Sequence, residues 1–164
     1  MKTWYAIYVR SRSEKKTAEY LSSEGHEVYL PLMKTMRQWS DRRKLVELPL
    51  ISCYLFVHIA QGEQNDILNS PNVVTFVSNK GKAVAIPDVQ IAAMKRAVNC
   101  DLPMEVSAEQ INEGDLVEVT AGALKGCEGI YLSEKGKHQF VIAITAIGYT
   151  LKIDVAKSCV KKIG

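Results

Sequence analysis

Cysteine and histidine are the residues of this chain with the clearest capacity for chemistry, because their side chains bind zinc and act as nucleophiles or bases. The chain has four cysteines and three histidines, without any C-x-x-C spacing. They are Cys53, Cys100, Cys127, Cys159, His26, His58 and His138. Their wide separation predicts free thiols in a reducing compartment, not a zinc site.

One cysteine, Cys53, lies five residues before His58, and a thiol beside an imidazole can form a nucleophile with its base. In an extended strand this separation places the two side chains on opposite faces and about 16 Å apart. The chain also lacks a Gly-x-Ser-x-Gly motif, a phosphate-binding glycine loop and a credible pair of carboxylates. We therefore predict no enzyme, no catalytic residue, no metal and no cofactor. A thiol enzyme is the alternative, which a cysteine-reactive probe would test.

Positive charge is concentrated in the first part of the chain. Residues 1–104 carry 14 Lys or Arg against 10 Asp or Glu, whereas residues 105–164 carry 7 against 8. The segment "MKTMRQWSDRRKLVELPL" (33–50) combines Trp39 with five basic residues. These are Lys34, Arg37, Arg42, Arg43 and Lys44. The segment predicts a basic hairpin or mobile loop that either lies along DNA or is a solvated tip.

The sequence patterns that determine how these residues are positioned predict an α+β fold for the first part of the chain, with helices on an antiparallel sheet. Strands are expected at "TWYAIYVR" (3–10), "EVYLPL" (27–32) and "ISCYLFVHI" (51–59). Helices are expected at about 12–24 and 87–99, from their apolar spacing and flanking residues. At the start of the first helix, "SRSE" (11–14) fits a capping box.

The last third predicts only strands. Residues 102–111 contain a proline and polar residues without a clear period, which predicts a linker between a domain 1–101 and a domain 112–164. Alternation such as "YTLKIDV" (149–155) predicts about five short strands, and hence a small closed β-barrel.

Glycines interrupt the strand pattern of "GDLVEVTAGALKGCEGIYL" (114–132). Gly122 can adopt positive φ in the turn after "VEVTA". Gly126 and Gly129 stand where a bulge or a close backbone approach is expected. A small barrel explains all three without any reference to function.

The same stretch resembles the KOW motif: a Gly-Asp opening, alternating valines, a turn glycine, a basic residue and Gly-x-x-Gly before a strand. The first part resembles the N-terminal (NGN) domain of the NusG family of transcription factors, through "WYAIYVRSRSEKKTAEYL", "PLISCYLFVHI" and "VVTFVSNKGKAVAIPDVQI" in the same order. The resemblance implies an NGN-type α/β sandwich followed by an SH3-like KOW barrel. Ser52–Cys53 stands where the housekeeping protein usually has Pro-Gly, which favours a specialised paralogue of the RfaH or UpxY type.

The resemblance implies that the N-terminal domain binds the clamp of bacterial RNA polymerase through exposed aromatic residues. The residues at matching positions are Tyr8, Tyr54 and Phe56, with Trp4 nearby. Aromatic residues on adjacent strands equally fit a buried core. An uncovered patch would favour the interface.

Specialised relatives also contact the displaced non-template DNA strand, and Arg10, Lys16 and Tyr20 match those positions. The alternative for them is a solvated helix face. The KOW domain of the family recruits ribosomal protein S10 or the termination factor Rho, and Ile147 in "TAIGYT" matches a hydrophobic contact there. In RfaH this domain can refold as a helical hairpin. The Val, Ile, Tyr and Thr content of this segment predicts strands.

Together these observations predict a transcription elongation and antitermination factor that acts by binding. We expect it to be cytoplasmic and monomeric, with no membrane association. The alternative is an RNA- or ribosome-binding KOW protein, which would have a strongly basic barrel. The net charge of −1 over residues 105–164 counts against that alternative.

Overall fold

The structure is a computed structural model that describes residues 1–38, 41–99, 104–108, 114–122, 124–134, 136–144 and 146–163. The side chains of residues 35–37, 134 and 157 lie outside this description. Contacts divide the chain into a first unit, Met1–Pro87, and a second unit, Asp88–Gly164. No helix among the described residues is both long and apolar enough to cross a lipid bilayer.

The first unit is built on an antiparallel sheet with two helices. Its helices are α1 (Glu14–Ser23) and α2 (Gln64–Leu68), with a 3₁₀ turn at Gln61–Glu63. Its strands are β1 (Thr3–Val9), β2 (Glu27–Tyr29), β3 (Leu32–Gln38), β4 (Arg43–Pro49), β5 (Tyr54–Ile59), β6 (Val73–Phe76), β7 (Ser78–Asn79), β8 (Lys82–Ala83) and β9 (Ala85–Ile86). The main sheet has the order β2-β5-β1-β6, and β9 also pairs with β1.

The aromatic and β-branched residues of β1 and β5 make these two strands the centre of the sheet. Alternation along each strand sends one set of side chains to the helical side. There Ile7, Leu55 and Val57 are fully buried in one core cluster with Leu21 of α1 and Ile67 of α2. The other set of side chains lies on the opposite face, which carries the candidate site.

The start of helix α1 lacks the capping box that the sequence predicted. The N-cap residue is Ser13, which makes no side-chain cap hydrogen bond. Glu14 is instead turned into the protein, where it is 5% exposed and its Oε2 accepts the Cys53 N–H over 3.0 Å. The spacing of Ser11 and Glu14 correctly indicated a helix start. The Glu14 carboxylate, however, accepts a hydrogen bond from the backbone of Cys53, which is 39 residues away in the sequence.

Strands β3 and β4 form a two-stranded hairpin, as predicted for the basic segment. Its register runs from Leu32 opposite Pro49 to Gln38 opposite Arg43. Trp39 lies outside the described residues.

The second unit contains α3 (Asp88–Val98) and a mostly-strand sheet. Its strands are β10 (Met104–Ser107), β11 (Asp115–Val119), β12 (Glu128–Glu134), β13 (Lys137–Ile144), β14 (Tyr149–Asp154) and β15 (Val160–Lys162). The sheet order is β10-β14-β13-β12-β11-β15, and a 3₁₀ turn at Lys157–Cys159 precedes β15. The α+β fold class, a sheet with helices followed by a small all-strand sheet, is confirmed.

Two features of the second unit bear on the predicted domain limits, which stay a prediction. Strand β10 lies inside the segment predicted to be a linker, where Glu105 and Val106 pair with Lys152 and Leu151 of β14. Helix α3, assigned by the prediction to the first domain, groups with the second unit. The polar neighbours of β10 and its length of four residues hid its alternation.

The glycines of the second unit have two different structural causes. Gly122 and Gly126 have φ of +86° and +89°, so each takes the left-handed conformation that side chains oppose. Gly129 has a steric cause, since a Cβ there would lie 2.5 Å from the Val141 carbonyl oxygen and 2.7 Å from the Phe140 ring. The turn glycine expected at Gly122 and the close backbone approach expected at Gly129 are both present. Gly126 was expected to resemble Gly129, but the atom nearest to an added Cβ there is Arg96 Nη1 at 4.0 Å, so its positive φ is the cause instead.

Candidate functional site

The face of the main sheet opposite the helices carries a row of aromatic residues from β1 and β5. The antiparallel register pairs Tyr8 with Tyr54 and Trp4 with His58. The Tyr8 and Tyr54 rings meet edge to face, with their centroids 5.3 Å apart. The Trp4 and His58 rings stack at 4.8 Å. All four predicted aromatic positions therefore lie on one face, because each strand alternates with a period of two.

Burial divides this row into two ends. Tyr8 is 41% exposed and Tyr54 is half-buried. Trp4 is 5% exposed and Phe56 is fully buried. The burial of Trp4 and Phe56 favours the core alternative for these two residues over an exposed docking surface. They support the sheet beside the Tyr8–Tyr54 pair.

Two residues of β2, Glu27 and Tyr29, contact the buried end of this row. His58 Nδ1 lies 2.9 Å from Glu27 Oε1, across the register position that pairs the two residues. The Tyr29 ring lies 6.3 Å from that of Phe56, and burial raises the pKa of the Tyr29 phenol to about 12. The phenol is therefore neutral across the physiological range.

The loop before β5 adjoins the Tyr8–Tyr54 pair and has an unusual backbone. Cys53 has φ of +70°, a conformation that glycine adopts freely and other residues adopt at a cost. Its N–H is bound by Glu14, and its carbonyl oxygen accepts the Val9 N–H over 2.8 Å. Sequence reasoning missed Glu14 as a site residue; the local capping pattern was its only signal.

The predicted DNA-contacting residues lie at the end of β1 and along α1. Arg10, Lys16 and Tyr20 are exposed, and Tyr20 is 40% exposed. Lys16 and Tyr20 are four residues apart on one helix, so their side chains share a face. The neighbouring Lys15 donates from Nζ to the Glu47 carbonyl oxygen over 2.7 Å, joining α1 to β4. No sequence pattern signalled that bond.

The basic hairpin presents further positive charge to solvent. Arg42, Arg43 and Lys44 are exposed, and Arg43 Nε donates to Gln38 Oε1 over 3.1 Å. The backbone of Arg37 pairs with Lys44, while its side chain lies outside the described residues. A tip with these charges can attract a phosphate backbone, and such attraction weakens with salt.

In the second unit, Ile147 is half-buried in the turn between β13 and β14, where its N–H donates to the Ile144 carbonyl oxygen. Burial raises the pKa of the Cys127 thiol, which the nearby Arg96 guanidinium only partly opposes. A raised pKa favours the neutral thiol over the reactive thiolate. Among the described residues, no three His, Cys, Asp or Glu side chains converge on a common metal position.

Comparison with known proteins identifies the family. A family model described as "Transcription termination factor nusG" matches residues 2–95, more than half of the chain. A solved structure described as "Domain interaction in Thermotoga maritima NusG" is 21% identical, with a TM-score of 0.53, and the match covers 100% of this chain and 98% of that one. A chain of the "MjSpt4:Spt5 complex" is 19% identical with a TM-score of 0.33, covering 98% and 97%. This chain, with its sheet-and-helix unit followed by a strand unit, belongs to the NusG family of transcription factors.

Proposed function

We propose that the chain is a transcription elongation and antitermination factor that binds the clamp of bacterial RNA polymerase through its first unit. It acts by binding, and it suppresses pausing or termination. The observation that carries the proposal is the Tyr8–Tyr54 pair, in which Tyr8 is 41% exposed, on a sheet face where Trp4 and Phe56 are buried. The match of the family model to residues 2–95 supports it.

The tyrosine pair has the properties of a protein-binding anchor. Tyrosine is enriched among the residues that dominate binding energy, because it buries a large rigid ring at little entropic cost. The edge-to-face contact holds Tyr8 against Tyr54 before any partner arrives. Phe56 and Trp4 form the buried support of this surface, so they contribute through the shape of the sheet.

The direct test is capture of purified core RNA polymerase by the full chain. We expect Tyr8→Ala to weaken binding at least about thirtyfold, the effect of losing one anchor residue. Leu68→Ala is the matched control and should bind as wild type, because Leu68 is 41% exposed and lies on α2. Undiminished capture by a folded Tyr8→Ala chain would show that the docking surface is elsewhere.

We further propose that α1 and the basic hairpin contact nucleic acid beside the polymerase. Arg10 and Lys16 supply charge for phosphate, and Tyr20 supplies a ring on which an unpaired base can stack. Arg37, Arg42, Arg43 and Lys44 would extend the positive surface along upstream DNA. Exposed positive charge on neighbouring elements of one unit supports this arrangement.

Salt dependence tests the nucleic-acid role. On single-stranded DNA of non-template sequence, Lys16→Gln should reduce the slope of log K against log salt concentration by about 0.7, the value for one lost phosphate contact. Lys82→Gln, an exposed lysine on β8, is the matched control and should leave the slope unchanged. Equal slopes for wild type and Lys16→Gln would remove Lys16 from the interface.

For the second unit we propose a recruiting role, with ribosomal protein S10 or Rho as partner and Ile147 in the contact. The KOW identity of this unit and its predicted limits, 112–164, belong to this proposal. So does the assignment to an operon-specific paralogue of the RfaH or UpxY type, which is supported by the dipeptide Ser52–Cys53. The RNA- or ribosome-binding alternative is less favoured, because residues 105–164 carry more acidic than basic residues.

A further inference from the structure

We infer that Glu14 is a positioning residue for the Tyr8–Tyr54 surface, acting through the backbone of Cys53. The inference rests on the proposed function for its consequence, namely polymerase binding. Its structural content, a link from a buried carboxylate to an aromatic pair, can be measured in the free chain.

The link starts at a buried acceptor. Glu14 is 5% exposed, and Cys53 N–H donates to its Oε2 over 3.0 Å. A hydrogen bond to a carboxylate is about twice as strong as one between neutral groups. Glu14 is also the first residue of α1, where the helix dipole favours negative charge.

The second step is the conformation that this bond holds. Cys53 has φ of +70°, where its Cβ is crowded by the backbone. A side-chain acceptor for its N–H opposes relaxation to the extended region, because relaxation would break the bond. Glycine at this position would need no such help, since it adopts positive φ freely.

The third step connects the loop to the tyrosines. The Cys53 carbonyl oxygen accepts the Val9 N–H over 2.8 Å, which extends the ladder between β1 and β5 past the Tyr8–Tyr54 pair. Cys53 directly precedes Tyr54, and Val9 directly follows Tyr8. The two bonds at Cys53 therefore fix both backbones immediately beside the two rings.

The test compares Glu14→Ala, Glu14→Gln and the double variant Glu14→Ala/Cys53→Gly in the full chain. Two quantities are measured: ring-to-ring nuclear Overhauser effects between Tyr8 and Tyr54 in the free protein, and affinity for core RNA polymerase. Glu14→Ala should lose the ring contact and weaken binding roughly tenfold. Glu14→Gln, whose amide oxygen can still accept, should stay within about threefold of wild type.

Rescue by glycine separates positioning from simple stabilisation. Adding Cys53→Gly to Glu14→Ala should restore the ring contact and most of the affinity, because glycine holds the loop conformation unaided. Glu19→Ala, an exposed glutamate on the same helix, should leave both quantities unchanged. If Glu14→Ala does not fold, Glu14→Asp gives the same comparison with a carboxylate one methylene shorter.

The outcomes are distinct. A folded Glu14→Ala chain with its ring contact and affinity intact overturns the inference, and so does a double variant that stays impaired in both. Loss and rescue of the ring contact support the positioning role even where polymerase binding does not respond to Tyr8→Ala. That last result would refute the proposed function and leave the link from Glu14 to the tyrosines in place.

Discussion

Replacement of Phe56 by alanine is expected to destabilise the first unit by about 3–5 kcal/mol, the usual cost of removing a fully buried aromatic ring. Phe56 is 0% exposed and its ring lies against Tyr29. Tyr8→Ala should cost only about 1 kcal/mol, mainly through the lost edge-to-face contact with Tyr54. The two variants thus separate a residue that supports the sheet from one that is exposed on it.

Urea unfolding of the full chain, followed by tryptophan fluorescence, measures this difference. Both tryptophans of the chain, Trp4 and Trp39, lie in the first unit, and Trp4 is buried on the same sheet face as Phe56. Phe56→Leu is the control, because it keeps most of the buried volume. It should retain both stability and polymerase capture. A Phe56→Ala chain that is as stable as wild type but fails to bind would restore Phe56 to the interface.

The separation of Phe56 from Tyr8 shows where sequence reasoning reached its limit. Alternation correctly predicts that Tyr54 and Phe56 share a face, because they are two residues apart on one strand. It cannot predict which part of that face is covered, since coverage depends on distant segments of the chain. The same limit applies to Trp4, which alternation places with Tyr8 but which is buried.

Local sequence patterns also failed to predict hydrogen bonds between residues that are far apart in the sequence. Ser11 and Glu14 have the spacing of a capping box, yet Glu14 binds the backbone of Cys53. Cysteine is not a residue that signals positive φ, so nothing in the strand pattern of residues 51–59 marked the loop before β5 as left-handed. By contrast, local composition indicated the basic hairpin, with a mobile loop as the alternative, and the two central strands of the sheet. The structure has the hairpin and both strands.

The bond between Glu14 and Cys53 also relates the two proposed surfaces of the first unit. Glu14 is the first residue of the helix that carries Lys16 and Tyr20, and it binds the loop that precedes Tyr54. In the proposed function, Glu14 then fixes the position of α1, which contacts nucleic acid, relative to the Tyr8–Tyr54 pair, which binds the polymerase. The bond from Lys15 to the Glu47 carbonyl oxygen ties the same helix to the basic hairpin.

The second large effect is expected at Gly129, where alanine should destabilise the second unit by about 3 kcal/mol. An added Cβ would lie 2.5 Å from the Val141 carbonyl oxygen, and 2.7 Å from the Phe140 ring. Gly129 lies in β12, which pairs with both β11 and β13, so neither neighbour can withdraw without breaking ladder hydrogen bonds. The Phe140 ring is fully buried, so displacing it would disturb the packing of the second unit.

Gly122→Ala is the matched control, because Gly122 has φ of +86° and no atom within 4 Å of its added Cβ. Its cost is conformational and should be about 1 kcal/mol. Backbone amide exchange in β12 and β13 measures both variants without relying on the tryptophans of the first unit. Faster exchange for Gly129→Ala than for Gly122→Ala is the expected result. Equal exchange rates in the two variants would mean that β12 and β13 shift apart at little cost. The close approach of these strands would then not be the reason for glycine at position 129.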